Sequence, residues 1–175
     1  MSNISLNTKL LKIVKYGDPI LRKRVKDVID FTNLSIFTQN MLKLMYEEKG
    51  IGLAANQVGV SLNILVIDIS GMDEDENLKP LILINTKIIH TEGSISMEEG
   101  CLSVPDIRAD IVRPETITIE FQDLNQEVHI RSFSGLISRV IQHELDHLDG
   151  ILFPDRLAKI RKEIFFKKIN KEFKK

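Results

Sequence analysis

Residues 135–150 read GLISRVIQHELDHLDG, and this stretch decides how the rest of the chain is understood. Apolar residues recur at helical spacing from about Gly135 to Asp149, and Gly150 supplies a stop. At about 100° per residue, with Leu136 at zero, Ile137, Val140, Ile141, Leu145 and Leu148 fall in an arc from about 40° to 180°. Ser138, Arg139, Gln142, Asp146 and Asp149 occupy the arc from about 200° to 300°. His143 and His147, at about 340° and 20°, border the apolar arc, and Glu144, at about 80°, sits inside it. A carboxylate on the core side costs several kcal/mol unless it is paired, protonated or put to use.

The His-Glu-x-x-His spacing places two imidazoles one turn apart on one helical face, where both can reach one metal ion, and a base beside a metal-activated water would explain Glu144. The alternative is a pair of satisfied core histidines with Glu144 held by a nearby cation. Two histidines seldom complete a catalytic site, which usually has three protein ligands and an open position. Residues 148–153, LDGILF, provide no third donor at the offset of the longer zinc-protease pattern. The remaining soft donor is Cys101, in EEGCLSVP (98–105), where a glycine and a proline suit a ligand-presenting loop. A buried, inert cysteine accounts for it equally well. His90 and His129, alone in strand-like segments, read as structural or exposed.

The chain has 175 residues, 43% of them hydrophobic, enough for one core, and a single domain over 1–175 is expected. Its net charge of -1 gives no field that points to DNA or to acidic substrates. That average hides a basic end, because residues 156–175 hold nine Lys or Arg against two Glu. With one cysteine there is no internal disulfide, and a cytoplasmic location is expected. No leader-like start and no run of about 18 apolar residues is found, so neither a signal peptide nor a membrane span is predicted.

Residues 33–49 place Leu34, Phe37, Met41, Leu44 and Met45 on one face, which predicts a helix with Thr32 or Asn33 as cap and Gly50 as stop. Strands are predicted at Leu62–Ile69, Leu81–Ile89, Thr116–Gln122 and Glu127–Arg131, the last two joined as a hairpin by Asp123-Leu124-Asn125. Between the first two, GMDEDENLKP (71–80) reads as a solvated connection. A basic helix from about Arg156 to Lys175 carries Leu157, Ile160, Ile164 and Phe165 as a docking side, with its lysines on the other. Strands grouped between helices, without βαβ alternation, argue for an α+β fold. We expect mainly antiparallel sheets around the central metal-binding helix, with one helix N-terminal and one C-terminal to them.

GIGLAANQ (50–57) contains a G-x-G-x-x-A string, but it follows a helix and leads to a strand, the reverse of a dinucleotide-binding turn. It is either a tight packed turn or a place where backbone approaches a ligand and Gln57 offers an amide N–H to a developing oxyanion.

Taken together, three segments resemble the peptide deformylase family, whose motifs are GxGLAAxQ, EGCLS and QHExDH. They stand here without departure at Gly50–Gln57, Glu99–Ser103 and Gln142–His147. The likeness extends to Asp18-Pro19-Ile20-Leu21-Arg22. The resemblance implies removal of the N-formyl group from N-formylmethionyl peptides and nascent chains, with release of formate. It implies Cys101, His143 and His147 as metal ligands, Glu144 as the catalytic acid and base, and Gln57 with the backbone N–H of Leu102 as oxyanion donors. The implied metal is Fe²⁺, replaceable by Ni²⁺, Co²⁺ or Zn²⁺. Substrate would run extended along Ile51-Gly52 and the Cys101 loop, with Glu99 and Gly100 on that loop. Leu136 and Val140, beside His143 on the helix, would wall a methionine pocket. Arg108, just after that loop, reads as solvent-exposed. The basic helix reads first as a solvated charged face, and the resemblance implies as the alternative that it contacts ribosomal RNA. Two other readings remain: a zinc endopeptidase, which lacks its downstream ligand here, and a closed metal-binding adaptor, which would need a fourth protein ligand.

Overall fold

The computed structural model describes residues 11–72 and 79–172, so most of the acidic loop at 71–80 lies outside the described residues. Helix α1 spans Leu34–Glu47, α2 Gly135–Leu148 and α3 Lys159–Glu172. Strands β1 (Gly52–Ala54), β2 (Ile64–Ile67), β3 (Leu81–Glu92), β6 (Thr116–Gln122) and β7 (Val128–Ser134) form an antiparallel sheet in the order β1-β2-β3-β6-β7. Between β3 and β6 the chain builds a separate antiparallel hairpin from β4 (Ile95–Cys101) and β5 (Val104–Arg113). The α+β architecture with antiparallel sheets is as expected.

Both faces of the sheet's centre are covered, and β2 shows why. Successive side chains of a strand point to opposite faces. Ile64 and Val66 meet Phe37, Met41 and Met45 of α1, while Leu65 and Ile67 join Ile117, Ile119, Val140 and Ile141 on the α2 side, so all four residues are buried. A third cluster packs β5 residues Val104, Ile107 and Ile111 against Leu21, Phe153, Phe165 and Ile169. The central helix is thus wedged between the sheet and the hairpin.

Several local expectations change. Asn33 precedes α1 with φ 63 and makes no side-chain cap. Lys49, at φ 56, takes the left-handed position after the helix. Gly50 instead permits a close approach, since a Cβ there would stand 2.8 Å from Leu102 Cδ1. Cys101 ends a strand in place of a loop, and the hairpin's register shifts between Gly100 and Cys101. Among the described side chains of α3, Phe165 and Ile169 are the buried ones, whereas Ile160 and Ile164 are 75% and 63% exposed. The reason is geometric: Phe165 and Ile169 form one i, i+4 row, and the Ile160–Ile164 row is turned well over 90° from it. Among the described residues, no helix is long and apolar enough to cross a membrane.

Candidate metal centre

Helix α2 presents His143 and His147 one turn apart, and the end of β4 brings Cys101 to them. One donor atom from each of the three residues lies within 4.8 Å of the others. Cys101 Sγ is 3.1 Å from His147 Nε2. The imidazoles of His143 and His147 meet edge to face with centroids 5.0 Å apart. Nδ1 of His147 is buried and finds no hydrogen-bond partner among the described residues. A thiol and two imidazoles converging at this distance suit a divalent transition metal such as zinc or iron.

The polar arc of α2 does not face water. Ser138, Arg139, Gln142 and Asp146 are all buried. Gln142 donates to Ser138 and to the Pro114 carbonyl, and the charged pair finds its partners on the hairpin, where Glu99 of β4 binds Arg113 of β5 at 2.6 and 3.0 Å, Arg139 at 3.0 Å and His143 Nδ1 at 2.9 Å. Arg113 also reaches Asp146 at 2.6 Å, and Asp146 accepts from Arg156 beyond the end of α2. Buried charges survive where each is paired in this way. The Glu99–His143 contact fixes the ring's orientation and leaves its Nε2 for the centre, as outer partners of metal-binding histidines commonly do.

The network sorts the titrations. Burial alone would raise Glu99, but hydrogen bonds from His143 and Arg113 hold its carboxyl down at about 2. Burial raises Glu144 to about 7. Burial disfavours charge on both histidines. Hydrogen bonds to Cys101 and Glu99 lift His143 well above its ordinary value, while burial and the charge of His143 push His147 well below.

A pH experiment follows from the Glu144 shift. In metal-free protein Glu144 holds a proton more tightly folded than unfolded. Its stabilising contribution is therefore present below about 4.5 and is lost as pH rises toward about 7. Glu99 has the opposite sign, contributing above about 4.5 and losing that contribution as pH falls toward about 2. The difference in thermal midpoint, wild type minus Glu144→Gln, should fall between about pH 4.5 and 7 in chelator-stripped protein. A flat difference would refute the raised value.

A cleft of about 660 Å³ opens on the centre, lined by Gly50, Gly52, Cys101, Leu136, Val140 and Glu144 among others. Ile51, Gln57, Glu99, Gly100, Leu102 and His143 also line it, while His147 lies behind them in contact with Cys101. Glu144 is 4% exposed, and its Oε2 has no hydrogen-bond partner among the described residues. Gln57 is oriented by its own segment: its Oε1 accepts from the Ala54 N–H at 2.8 Å. That bond turns Nε2 toward Cys101 Sγ at 3.6 Å and Ser103 Oγ at 3.2 Å. Arg108 is exposed and paired with Glu98. His90 is exposed, and His129 stacks on Phe121 and contacts Asp123, away from the centre.

The sequence reading missed Arg113, Arg139 and Asp146 as supports, and Asn56, whose Nδ2 donates to the His147 carbonyl. Asp146 stands inside the QHExDH string, so its place there was a signal. The arginines offered none, since their partners are 14 to 44 residues away.

A model of the polypeptide deformylase family matches residues 10–163. A peptide deformylase of Chlorobaculum parvum is 45% identical over 152 residues, covering 86% of this chain and 81% of that protein. That of Chlorobium limicola is 48% identical over 146 residues, covering 82% and 78%. Among solved structures, the peptide deformylase of Thermus thermophilus superposes with a TM-score of 0.83 at 37% identity, covering 91% of this chain and 92% of that one. The Synechococcus elongatus enzyme in complex with actinonin gives 0.83 at 39%, covering 93% and 89%. Fold, site geometry and likeness over nearly the whole chain agree, and the chain belongs to the polypeptide deformylase family.

Proposed function

We propose that this protein removes the N-formyl group from the N-terminal formylmethionine of newly made polypeptides and releases formate. The observation that carries this reading is the convergence of Cys101, His143 and His147 beside a buried, unpaired carboxylate oxygen of Glu144 in an open cleft. Those three side chains hold a divalent ion. Fe²⁺ is assigned on the resemblance, with Ni²⁺, Co²⁺ or Zn²⁺ able to replace it, since one thiolate and two imidazoles suit them all. Bound there, the ion supplies Lewis acidity, making water more acidic and drawing electron density from the formyl oxygen.

Glu144 accepts a proton from the water that adds to the formyl carbon, then gives it to the amine nitrogen as the C–N bond breaks. Gln57 Nε2 and the Leu102 backbone N–H donate to the oxygen on which charge develops. Losing one donor of this kind typically costs about 10²-fold or more in rate. Gln57→Leu should therefore lower turnover on that scale with metal content unchanged, and wild-type turnover would remove Gln57 from the mechanism.

The peptide lies extended between Ile51-Gly52, where the end strand of the sheet begins, and Glu99-Gly100 of β4. Its methionine side chain packs on Leu136 and Val140. A single-domain chain with a free thiol suits the cytoplasm, where nascent chains are met. Helix α3 places exposed Lys159, Arg161 and Lys167 beside exposed Ile160 and Ile164, and we assign this surface to ribosomal RNA at the peptide exit. Truncating α3 would uncover Phe153 and Ile111, so charge reversal is the cleaner test. Lys159→Glu, Arg161→Glu and Lys167→Glu together should abolish salt-sensitive ribosome binding and leave short-peptide cleavage unchanged. Persistent binding would sink the assignment.

The deciding assay is formate release from a formyl-Met peptide by anaerobically metal-loaded protein. Metal-loaded protein that releases no formate overturns the reading, and cleavage of internal peptide bonds instead would identify an endopeptidase.

A further inference from the structure

The hairpin that carries Cys101 forms its own two-stranded sheet, hydrogen-bonded to no strand of the larger one. The thiol's position relative to the two imidazoles on α2 therefore depends on what ties the hairpin to that helix. At the tip, the Ser103 carbonyl accepts from the Tyr16 N–H at 2.8 Å, and Ser103 Oγ accepts from Gln57. Along the body, one side chain of α2 makes most of the polar connection. Arg139, 4% exposed, donates from Nη1 to Glu99 Oε1 at 3.0 Å and to the Ile111 carbonyl at 2.9 Å, and from Nη2 to the Ile95 carbonyl at 2.6 Å.

We propose that Arg139 is a positioning residue for Cys101, its guanidinium clasping both strands of the hairpin to the helix that bears His143 and His147. The three acceptors are spread over the hairpin. Ile95 opens β4, Ile111 is well inside β5, and Glu99 stands two residues before Cys101 in the same strand. Two strand residues span about 6.6 Å, so a shift of Glu99 carries to Cys101 with little slack. The clasp is reciprocated, since Arg113 of β5 binds back to Asp146 of α2. Only a guanidinium fits, because its planar fork presents donors in several fixed directions, whereas an ammonium is a point charge on a flexible stem. Without Arg139, the buried Ile111 carbonyl and the half-buried Ile95 carbonyl lose this donor, and Glu99 keeps Arg113 and His143. The hairpin can then tilt about its tip, and the Sγ–Nε2 separation of 3.1 Å is no longer held.

The inference rests on Cys101, His143 and His147 being one metal site, and its test keeps the two claims apart. Arg139→Met and Arg139→Lys are compared with wild type. In metal-free protein the rate at which Cys101 reacts with a small aromatic disulfide is measured. In Co²⁺-loaded protein the thiolate-to-cobalt absorption band and the rate of cobalt release into a chelator are followed. For Arg139→Met, thiol reactivity is expected to rise about tenfold, and metal affinity to fall within the 10–100-fold range typical of outer-shell changes. The cobalt band should shift, and Arg139→Lys should recover part of each effect. A lowered thermal midpoint with wild-type thiol reactivity and cobalt release below that midpoint would assign Arg139 a merely structural role and overturn the proposal. Should Arg139→Met fail to fold, Arg139→Lys decides alone: reactivity and release equal to wild type overturn the clasp. Wild-type protein that takes up no Co²⁺ overturns the metal reading, while the thiol rates still judge the clasp.

Discussion

Replacing Glu144 by Gln should lower kcat for formyl-peptide hydrolysis by about 10³-fold, within the 10²–10⁴-fold range of a general acid–base group, and leave metal content near one ion per chain. Gln has the same shape, so the apolar surroundings and the neighbouring histidines are undisturbed, but it can neither take a proton from water nor return one to the amine. The carboxylate is placed for this role by its cost elsewhere. It is 4% exposed with one oxygen unpartnered, and burial raises it to about 7, near the value that makes a base effective at neutral pH. A divalent cation beside it favours the charged form, and the pH below which turnover fades in metal-loaded enzyme should therefore lie under about 7. KM should change little, because the lost interaction belongs to the transition state. Turnover of the Gln variant within threefold of wild type would take Glu144 out of the proton transfer.

Glu144 was also the most informative residue in the sequence. Local periodicity locates α2 and shows a carboxylate on its apolar side, and both survive in the structure. The same periodicity misleads about the opposite arc. Ser138, Arg139, Gln142 and Asp146 look like a wetted face, yet they are buried because Glu99 and Arg113 arrive from a hairpin distant in sequence. Spacing along one helix cannot reveal partners that only tertiary structure supplies. The hairpin escaped notice for a related reason: in β4, Glu98, Glu99 and Gly100 break the alternation of apolar residues that marks a strand, and Pro105 interrupts β5. Cys101 therefore read as a loop residue, an even choice between third ligand and inert cysteine until its place in EGCLS was taken together with the other two strings. On α3, two i, i+4 apolar rows compete, and composition does not say which one docks.

The second large effect concerns a residue with no side chain. Gly52 opens β1 directly against α2, and a Cβ built there would stand 2.6 Å from Glu144 Oε1 and 2.6 Å from Val140 Cγ1. Real Cβ contacts under 3.0 Å are essentially never seen, so Gly52→Ala must move β1, the Glu144 carboxylate or both. β1 has little freedom, since Gly52 pairs with Ile67 and Leu53 and Ala54 are fully buried. The carboxylate end is the softer partner, and it swings away from the reacting atoms. A misplacement near 1 Å can cost about 10²-fold in rate, and here the same methyl also intrudes on the path we propose for the peptide beside Ile51-Gly52. Gly52→Ala should accordingly lose about 10²-fold or more in kcat, raise KM, and retain its metal, because none of Cys101, His143 and His147 is among the three atoms nearest the new methyl. That combination separates it from Glu144→Gln, where KM holds, and from loss of a ligand, where the metal goes. Kinetics of both variants at equal metal occupancy would make the distinction, and a Gly52→Ala enzyme with wild-type kcat would mean that the strand, not the base, gives way.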